Sequence, residues 1–73
     1  MSGFPEIKPN KISKILLSIG FIKREGKGSH VVFCHIDGRR TVVPKHNRPV
    51  RIGTLLAILK QAKISRADFL KLL

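Results

Sequence analysis

The segment SHVVFCHIDGRRTVV, residues 29–43, contains two β-prone runs that are separated by Asp37-Gly38. Asp-Gly between two such runs is the strongest short-range hairpin signal in the chain. The segment therefore predicts two antiparallel strands, over 29–36 and 39–43, that meet at this turn.

The length of the turn decides how the two strands pair. A two-residue loop places His30 opposite Lys45, whereas a three-residue loop with Gly38 in a bulge places it opposite Pro44. In either register, His30 lies close to Lys45 and His46.

Two further elements precede this hairpin. The β-prone run 21–25 predicts a third strand, which a turn at Gly26-Lys27-Gly28 separates from the hairpin. Apolar residues at helical spacing predict a helix over 10–19, with Asn10 as N-cap and Gly20 as a left-handed C-terminal stop. These apolar residues are Ile12, Ile15, Leu16 and Ile19. Residues 1–9 carry no periodic pattern and are expected to form a short leader.

Helical spacing returns after a basic loop over 45–51. A helix is predicted over 53–62, and Ser65 with Asp68 forms a capping pattern that begins a short helix over 66–72. The element order predicts one α+β domain over 1–73, with a three-stranded antiparallel sheet and the helices on one face. Which sheet face is exposed stays open, because apolar residues occur at both parities of the central strand.

Composition limits the class of partner. The 73 residues contain 15 Lys and Arg but 4 Asp and Glu, a formal charge of +11, which makes nucleic acid the first partner to consider. A hydrophobic content of 42% favours a folded core over a disordered basic tail. One cysteine excludes a disulfide-stapled secreted miniprotein. With neither a signal peptide nor a membrane-length apolar run, we expect a cytoplasmic protein with no membrane partner.

Proton transfer is the chemistry that the residues around His30 favour. Phosphodiester cleavage needs a group that moves a proton and cations that stabilise developing phosphoryl charge. His30 follows Ser29, with Lys27 nearby in sequence and Lys45 brought near by the hairpin. RNA carries its own nucleophile, the 2′-hydroxyl, so no activated serine or cysteine is required. From spacing alone, a histidine at the start of a strand is more often structural or solvent-facing than catalytic.

The remaining polar residues point to phosphate binding without a metal ion or cofactor. No zinc-type ligand spacing is present, the four acidic residues are scattered, and Cys34 reads as a small apolar strand residue. Basic residues crowd the hairpin, its flanks and the loop after it, and they predict a phosphate-binding surface: Lys23, Arg24, Arg39, Arg40, Arg48 and Arg51. The chain has no Trp or Tyr, so base stacking is not expected to dominate RNA binding.

Several short blocks occur in a specific order along nearly the whole chain. They are Gly20-Phe21, Lys27-Gly28-Ser29-His30, Asp37-Gly38-Arg39-Arg40, Val42-Val43-Pro44, His46, Gly53-Thr54-Leu55 and Ile58-Leu59-Lys60-Gln61-Ala62. In this order and spacing, they resemble the HicA toxins, the mRNA-interferase halves of HicA/HicB toxin–antitoxin pairs. Two positions depart from the pattern: Val31, where many relatives carry a second histidine or another polar residue, and Lys63, where a glycine often stands.

The resemblance implies an α-β-β-β-α fold similar to double-stranded-RNA-binding domains and metal-independent endoribonuclease activity with His30 as the essential residue. It also implies arrest of translation and growth, neutralisation by a HicB antitoxin that covers the active surface, and DNA contact only through that antitoxin. Lys27 and Lys45 would stabilise the phosphate, Ser29 would support the site, and His46 would be a second acid–base group.

Two other classes of function are compatible with the sequence. One is an RNA-binding module without catalysis, which the double-stranded-RNA-like element order permits. The other is a DNA-binding regulator, because 55–73 loosely follows a helix-turn-helix pattern. The apolar residues of its second helix favour packing over base contact: Phe69, Leu70, Leu72 and Leu73.

Overall fold

The computed structural model describes residues 5–26 and 28–73. In these residues the chain forms α1 (Pro9–Ser18), β1 (Ile22–Glu25), β2 (His30–Cys34), β3 (Arg40–Pro44), α2 (Ile52–Ala62) and α3 (Arg66–Leu72). The strands form an antiparallel sheet in the order β1-β2-β3. The predicted α+β fold with a three-stranded antiparallel sheet is confirmed.

The β2–β3 hairpin has the three-residue loop. His30 pairs with Pro44 and Cys34 pairs with Arg40, which leaves Ile36 to Gly38 as the loop beyond the His35–Arg39 pair. The His35 N–H donates to the Arg39 carbonyl oxygen at 2.8 Å, and Gly38 has a φ of +100°. Of the two registers that the sequence allows, the structure has the one with the three-residue loop, in which His30 lies opposite Pro44.

Strand β2 ends earlier than the sequence pattern predicts. The prediction extended it through Ile36, but that residue lies in the hairpin loop and its side chain is 94% exposed. An apolar, β-branched residue in the turn makes the strand look two residues longer than it is.

The core decides which sheet face is covered. Alternate residues of β2 and β3 point towards the helices and are buried: Val31, Phe33, Thr41 and Val43. They pack with apolar residues of the helices, chiefly Ile12, Leu16, Leu55, Ile58, Leu59 and Phe69. The other parity, including His30 and the half-buried Val32, therefore forms the open face of the sheet. No described helix is long and apolar enough to cross a membrane.

Helix α1 begins and ends one residue earlier than predicted, and Gly20 stops it as expected. Pro9 occupies the first turn in place of an Asn10 cap, and its fixed φ suits that position. At the other end, Gly20 has a φ of +100° and donates to the Leu17 carbonyl oxygen at 3.2 Å, while Phe21 donates to Leu16 at 3.0 Å. These two bonds form a Schellman motif that stops the helix.

The same motif ends α2, although the left-handed residue there is Lys63, with a φ of 55°. Lys63 donates to Lys60 at 3.2 Å, and Ile64 donates to Leu59 at 2.9 Å. The next helix begins with the predicted cap, because Ser65 Oγ accepts a hydrogen bond from the Asp68 N–H at 3.0 Å. The chain thus turns sharply between α2 and α3 on a residue that has a Cβ.

One cluster joins the hairpin loop to the ends of α1 and α2. Arg39 Nε donates to Asp37 at 2.8 Å, its Nη1 donates to the Ala62 carbonyl oxygen at 2.8 Å, and its guanidinium lies 5.0 Å from the Phe21 ring centroid. The His35 ring meets Phe21 edge-on at 5.1 Å between centroids. We call Phe21, His35, Asp37 and Arg39 the hairpin clasp.

The clasp also reaches the C-terminus of α1. His35 Nδ1 accepts the Asp37 N–H at 3.2 Å, so its Nε2 carries the proton in the neutral ring and donates to the Ile19 carbonyl oxygen at 3.1 Å. A Cβ at Gly20 would lie only 2.9 Å from this nitrogen. Gly20 is therefore required both by its positive φ and by its contact with His35.

Replacing Lys63 by glycine should stabilise the protein. The left-handed conformation costs a residue with a Cβ about 1–2 kcal/mol, and the greater flexibility of unfolded glycine offsets only part of that. We expect a gain of about 0.5–1 kcal/mol in the free energy of unfolding, measured by urea denaturation. Lys60→Gly, inside the same helix, should lower it by about 1 kcal/mol. Equal losses in the two variants would contradict this account of the turn.

Asp37 should make stability depend on pH in the acid range. The Arg39 N–H bond, together with the Arg39 guanidinium and charge, holds the pKa of the Asp37 carboxyl below its ordinary value of 3.8, outweighing the opposing effect of desolvation. A lowered folded pKa means stability that is present above about pH 4 and lost as the pH falls through the folded pKa. Urea denaturation should show Asp37→Asn less stable than wild type at pH 5 and the two closer at pH 3. A difference that is the same at both pH values would contradict this role.

Candidate functional site

His30 is the first residue of β2, on the open face of the sheet, with an exposed side chain. Two features fix its backbone. The Lys45 N–H donates to the Ser29 carbonyl oxygen at 2.6 Å, which ties the loop after β3 to the start of β2. On the other side, a Cβ at Gly26 would overlap the His30 carbonyl oxygen, so the turn before β2 needs a glycine there.

A groove of about 640 Å³ contains His30 and His46 and is bounded by β3, the loop after it and α2. Its other lining residues are Val42, Pro44, Arg48, Pro49, Val50, Arg51, Thr54, Ala57, Ile58 and Gln61. The groove thus combines imidazoles, two guanidiniums and apolar walls. Its volume lies in the range of about 300–1,000 Å³ that is usual for small-molecule sites.

His46 is held in one tautomer. Its Nδ1 accepts a hydrogen bond from the Arg48 N–H at 3.1 Å, so in the neutral ring the proton is on Nε2. In this tautomer, the neutral ring of His46 offers an N–H donor at Nε2.

The predicted phosphate-binding residues divide into separate groups. Arg48 and Arg51 line the groove with His30. Arg24 and Arg40 lie on the open face of the sheet, beside a shallow depression that also contains Val32 and Cys34. These four arginines therefore share the groove or the sheet face on which His30 lies.

Other predicted site residues lie elsewhere. Lys23 has the opposite parity from Arg24 on β1 and is exposed. Lys45 lines a neighbouring depression with Asn10 and His46, and Ser29 contributes its carbonyl oxygen to the bond with Lys45. Lys27, predicted to stabilise the phosphate, lies outside the described residues.

Arg39, also predicted to bind RNA, lies in the hairpin clasp, apart from the groove and the open face. Its side chain is 22% exposed, and its guanidinium is bonded to Asp37 and the Ala62 carbonyl oxygen in the hairpin clasp. Adjacent residues of an extended strand point in opposite directions, which is why Arg39 and Arg40 differ so much despite their identical chemistry.

Among residues 5–26 and 28–73, no three His, Cys, Asp or Glu side chains gather closely enough to hold a metal ion. The described residues of the groove offer proton transfer by imidazole, charge stabilisation by guanidinium, and hydrogen bonds from Thr54 and Gln61. This set of groups suits reactions at a phosphodiester.

Comparison with protein-family models matches residues 9–64 of the 73-residue chain to the HicA toxin of bacterial toxin–antitoxin systems. The chain belongs to the HicA toxin family. The match extends from the start of α1 to just after the left-handed turn at Lys63, so it includes the whole sheet and the groove, whereas α3 lies beyond it. A search of curated proteins found no matching relative. Membership of the HicA family supports the role of a toxin in a toxin–antitoxin system.

The sequence-based predictions assign no role in the site to the α2 wall of this groove, although Thr54 and Gln61 lie in the blocks that carry the resemblance. Thr54, Ala57 and Gln61 line it, at positions i, i+3 and i+7. The prediction of α2 used only the buried apolar positions. The signal that could have found this wall is the second stripe of small and polar residues at the same helical spacing.

The neighbours Arg39 and Arg40 provide a matched test of the different places that the structure gives them, in the hairpin clasp and on the open face. Arg39→Met removes the donors to Ala62 and Asp37 and should lower the free energy of unfolding by about 1–3 kcal/mol. Arg40→Met removes an exposed charge from the open face and should change it by less than about 0.5 kcal/mol. Urea denaturation of both variants measures the difference. Equal effects would contradict the assignment of Arg39 to the fold.

Proposed function

We propose that this HicA-family chain is an endoribonuclease, an mRNA interferase that cleaves mRNA without a metal ion and thereby arrests translation and growth. The observation that carries this proposal is an exposed imidazole, His30, in a groove that also contains His46, Arg48 and Arg51. These groups are the ones that transfer a proton and neutralise phosphoryl charge.

In the proposed reaction, His30 accepts the proton of the RNA 2′-hydroxyl. The 2′-oxygen bonds to the adjacent phosphorus, the bond from phosphorus to the 5′-oxygen breaks, and a 2′,3′-cyclic phosphate forms. The leaving 5′-oxygen takes a proton from water, and His30 returns its own proton to water, so protons and charge balance. A single titrating group is then sufficient for the cycle.

The remaining groove residues stabilise the negative charge that develops on the phosphoryl group. Negative charge grows on the nonbridging oxygens as the phosphorus becomes five-coordinate, and fixed donors aimed at those oxygens lower the barrier. Arg48 and Arg51 supply positive charge, and the Nε2–H of neutral His46 supplies a hydrogen bond. Arg24 and Arg40 hold neighbouring phosphates on the open face, and their contribution weakens as salt rises.

The same surface suits an acidic antitoxin partner. A charge of +11 leaves the groove and the open face with few acidic neighbours, so an acidic protein surface fits them by charge complementarity. We propose that the partner with this acidic surface is a HicB antitoxin. It covers His30 in the cytoplasm, and DNA is contacted only through the antitoxin.

Replacing His30 by alanine tests the catalytic assignment. Because the side chain is exposed, His30→Ala should keep the wild-type free energy of unfolding within about 0.5 kcal/mol. Cleavage of an mRNA by the purified protein should fall by about 100-fold or more, and induced expression should no longer arrest growth. Asn47→Ala, which changes an exposed residue outside the groove, should behave like wild type.

Three outcomes would count against the proposal. A folded His30→Ala protein that still cleaves at the wild-type rate would overturn the role of His30. Loss of cleavage on addition of a chelator would overturn the metal-independent reaction. Wild-type protein that binds RNA but leaves it intact would show an RNA-binding module without catalysis.

A further inference from the structure

We infer that Gln61 selects the nucleotide beside the cleaved phosphodiester bond, by donating hydrogen bonds from its side-chain amide to that base. Gln61 lies on α2 and lines the same groove as His30 and His46. The inference rests on the proposed function and adds to it a residue that decides where cleavage occurs.

Thr41 fixes the direction of the Gln61 amide. Thr41 lies on β3 with its side chain turned towards the core, and only 1% of its surface is exposed. Its hydroxyl donates to Gln61 Oε1 at 2.8 Å. A buried hydroxyl that loses its partner is destabilising, so this bond holds the amide in place.

With Oε1 occupied, Gln61 offers the groove two N–H donors on Nε2. Such donors attract a base that presents a carbonyl oxygen or a ring-nitrogen acceptor and disfavour one that presents an amino group at the same place. The amide held by Thr41 therefore discriminates between bases, and it contributes no charge to the attraction for the RNA backbone.

The rest of the groove suits an unstacked base. Val42 and Pro44 of β3 and Ala57 of α2 supply apolar contact, while few polar groups besides Gln61 and Thr54 lie away from the basic loop. Concave sites of this kind bind a ligand through apolar walls and orient it through a few polar groups. Sequence-specific proteins commonly read single-stranded RNA by splaying out a base and bonding its edge.

A purely structural role for Gln61, as a link between α2 and β3, predicts different behaviour. Loss of such a link would lower the folded fraction and reduce cleavage of every substrate by the same factor. The ratio of cleavage rates between two substrates is unaffected by the folded fraction. This ratio is therefore the decisive quantity.

The experiment uses RNA oligonucleotides that contain one site mapped with wild-type protein and that differ only in one of the two nucleotides flanking the cleaved bond. The specificity constant kcat/KM is measured for all four bases at each position. Gln61→Glu keeps Oε1 for Thr41 but replaces the two donors by an acceptor. We expect it to reduce or invert the wild-type preference at one position by about fivefold or more.

Two further variants separate charge from geometry. Lys60→Gln lowers the net charge of α2 by one unit, as Gln61→Glu does, but at a position outside the groove. It should retain the wild-type base preference even if all rates fall. Thr41→Val frees the amide without changing charge, and it should flatten the preference at the same position as Gln61→Glu. Because Gln61→Glu retains the bond to Thr41, it tests the inference even if Thr41→Val folds poorly.

The outcomes distinguish the inference from the proposed function. Wild-type protein that cleaves all bases equally, or a Gln61→Glu protein with the wild-type ratios, would overturn the role of Gln61 while leaving the ribonuclease intact. Wild-type protein that cleaves nothing would contradict the proposed function. In that case, dissociation constants of wild type and Gln61→Glu for the four homopolymeric RNA oligonucleotides decide whether Gln61 reads a base.

Discussion

The register of the β2–β3 hairpin is the constraint on which the rest of the structure depends. Side chains alternate along a strand, so a slip of one residue would turn Phe33 towards water and His30 towards the core. The three-residue loop with Gly38 sets that register, and the bonds of Asp37 and Arg39 in the hairpin clasp hold it. The position of the imidazole in the groove is therefore decided at the opposite end of the strand.

Histidine and arginine side chains have different surroundings at the two ends of the sheet. At the loop end, His35 and Arg39 are bonded to backbone carbonyl oxygens and hold the helices against the hairpin. At the other end, His30 and Arg48 face solvent in the groove. His30 and His35 are five residues apart along the strand, a distance of about 17 Å at strand spacing. A small basic domain can thus use part of its positive charge for stability without occupying the groove.

Local patterns in the sequence predict most of the fold, because helices, caps and tight turns depend on neighbouring residues. Helical spacing, Gly20 and the Ser65 cap all reappear in the structure. The features that local patterns do not predict depend on contacts between elements that are distant in the sequence. The covered sheet face follows from packing against α1 and α2, and the different roles of Arg39 and Arg40 follow from which face each meets. In the site, His30 is predictable from its motif. The place of Gln61 in the groove follows only from the packing of α2 beside β3.

The crowding of Gly20 against His35 bears on how a cell could lose the activity of this toxin. Any replacement at Gly20 meets both an unfavourable φ and the ring nitrogen of His35, far from the groove. Selection for bacteria that survive expression of the gene should therefore yield two kinds of mutant. Under the proposed mechanism, changes at His30 would leave abundant, inert protein that an antitoxin still captures, whereas changes at Gly20 would leave little protein because proteases remove it. Protein abundance among the survivors then distinguishes residues needed for the activity of this chain from residues needed for its fold.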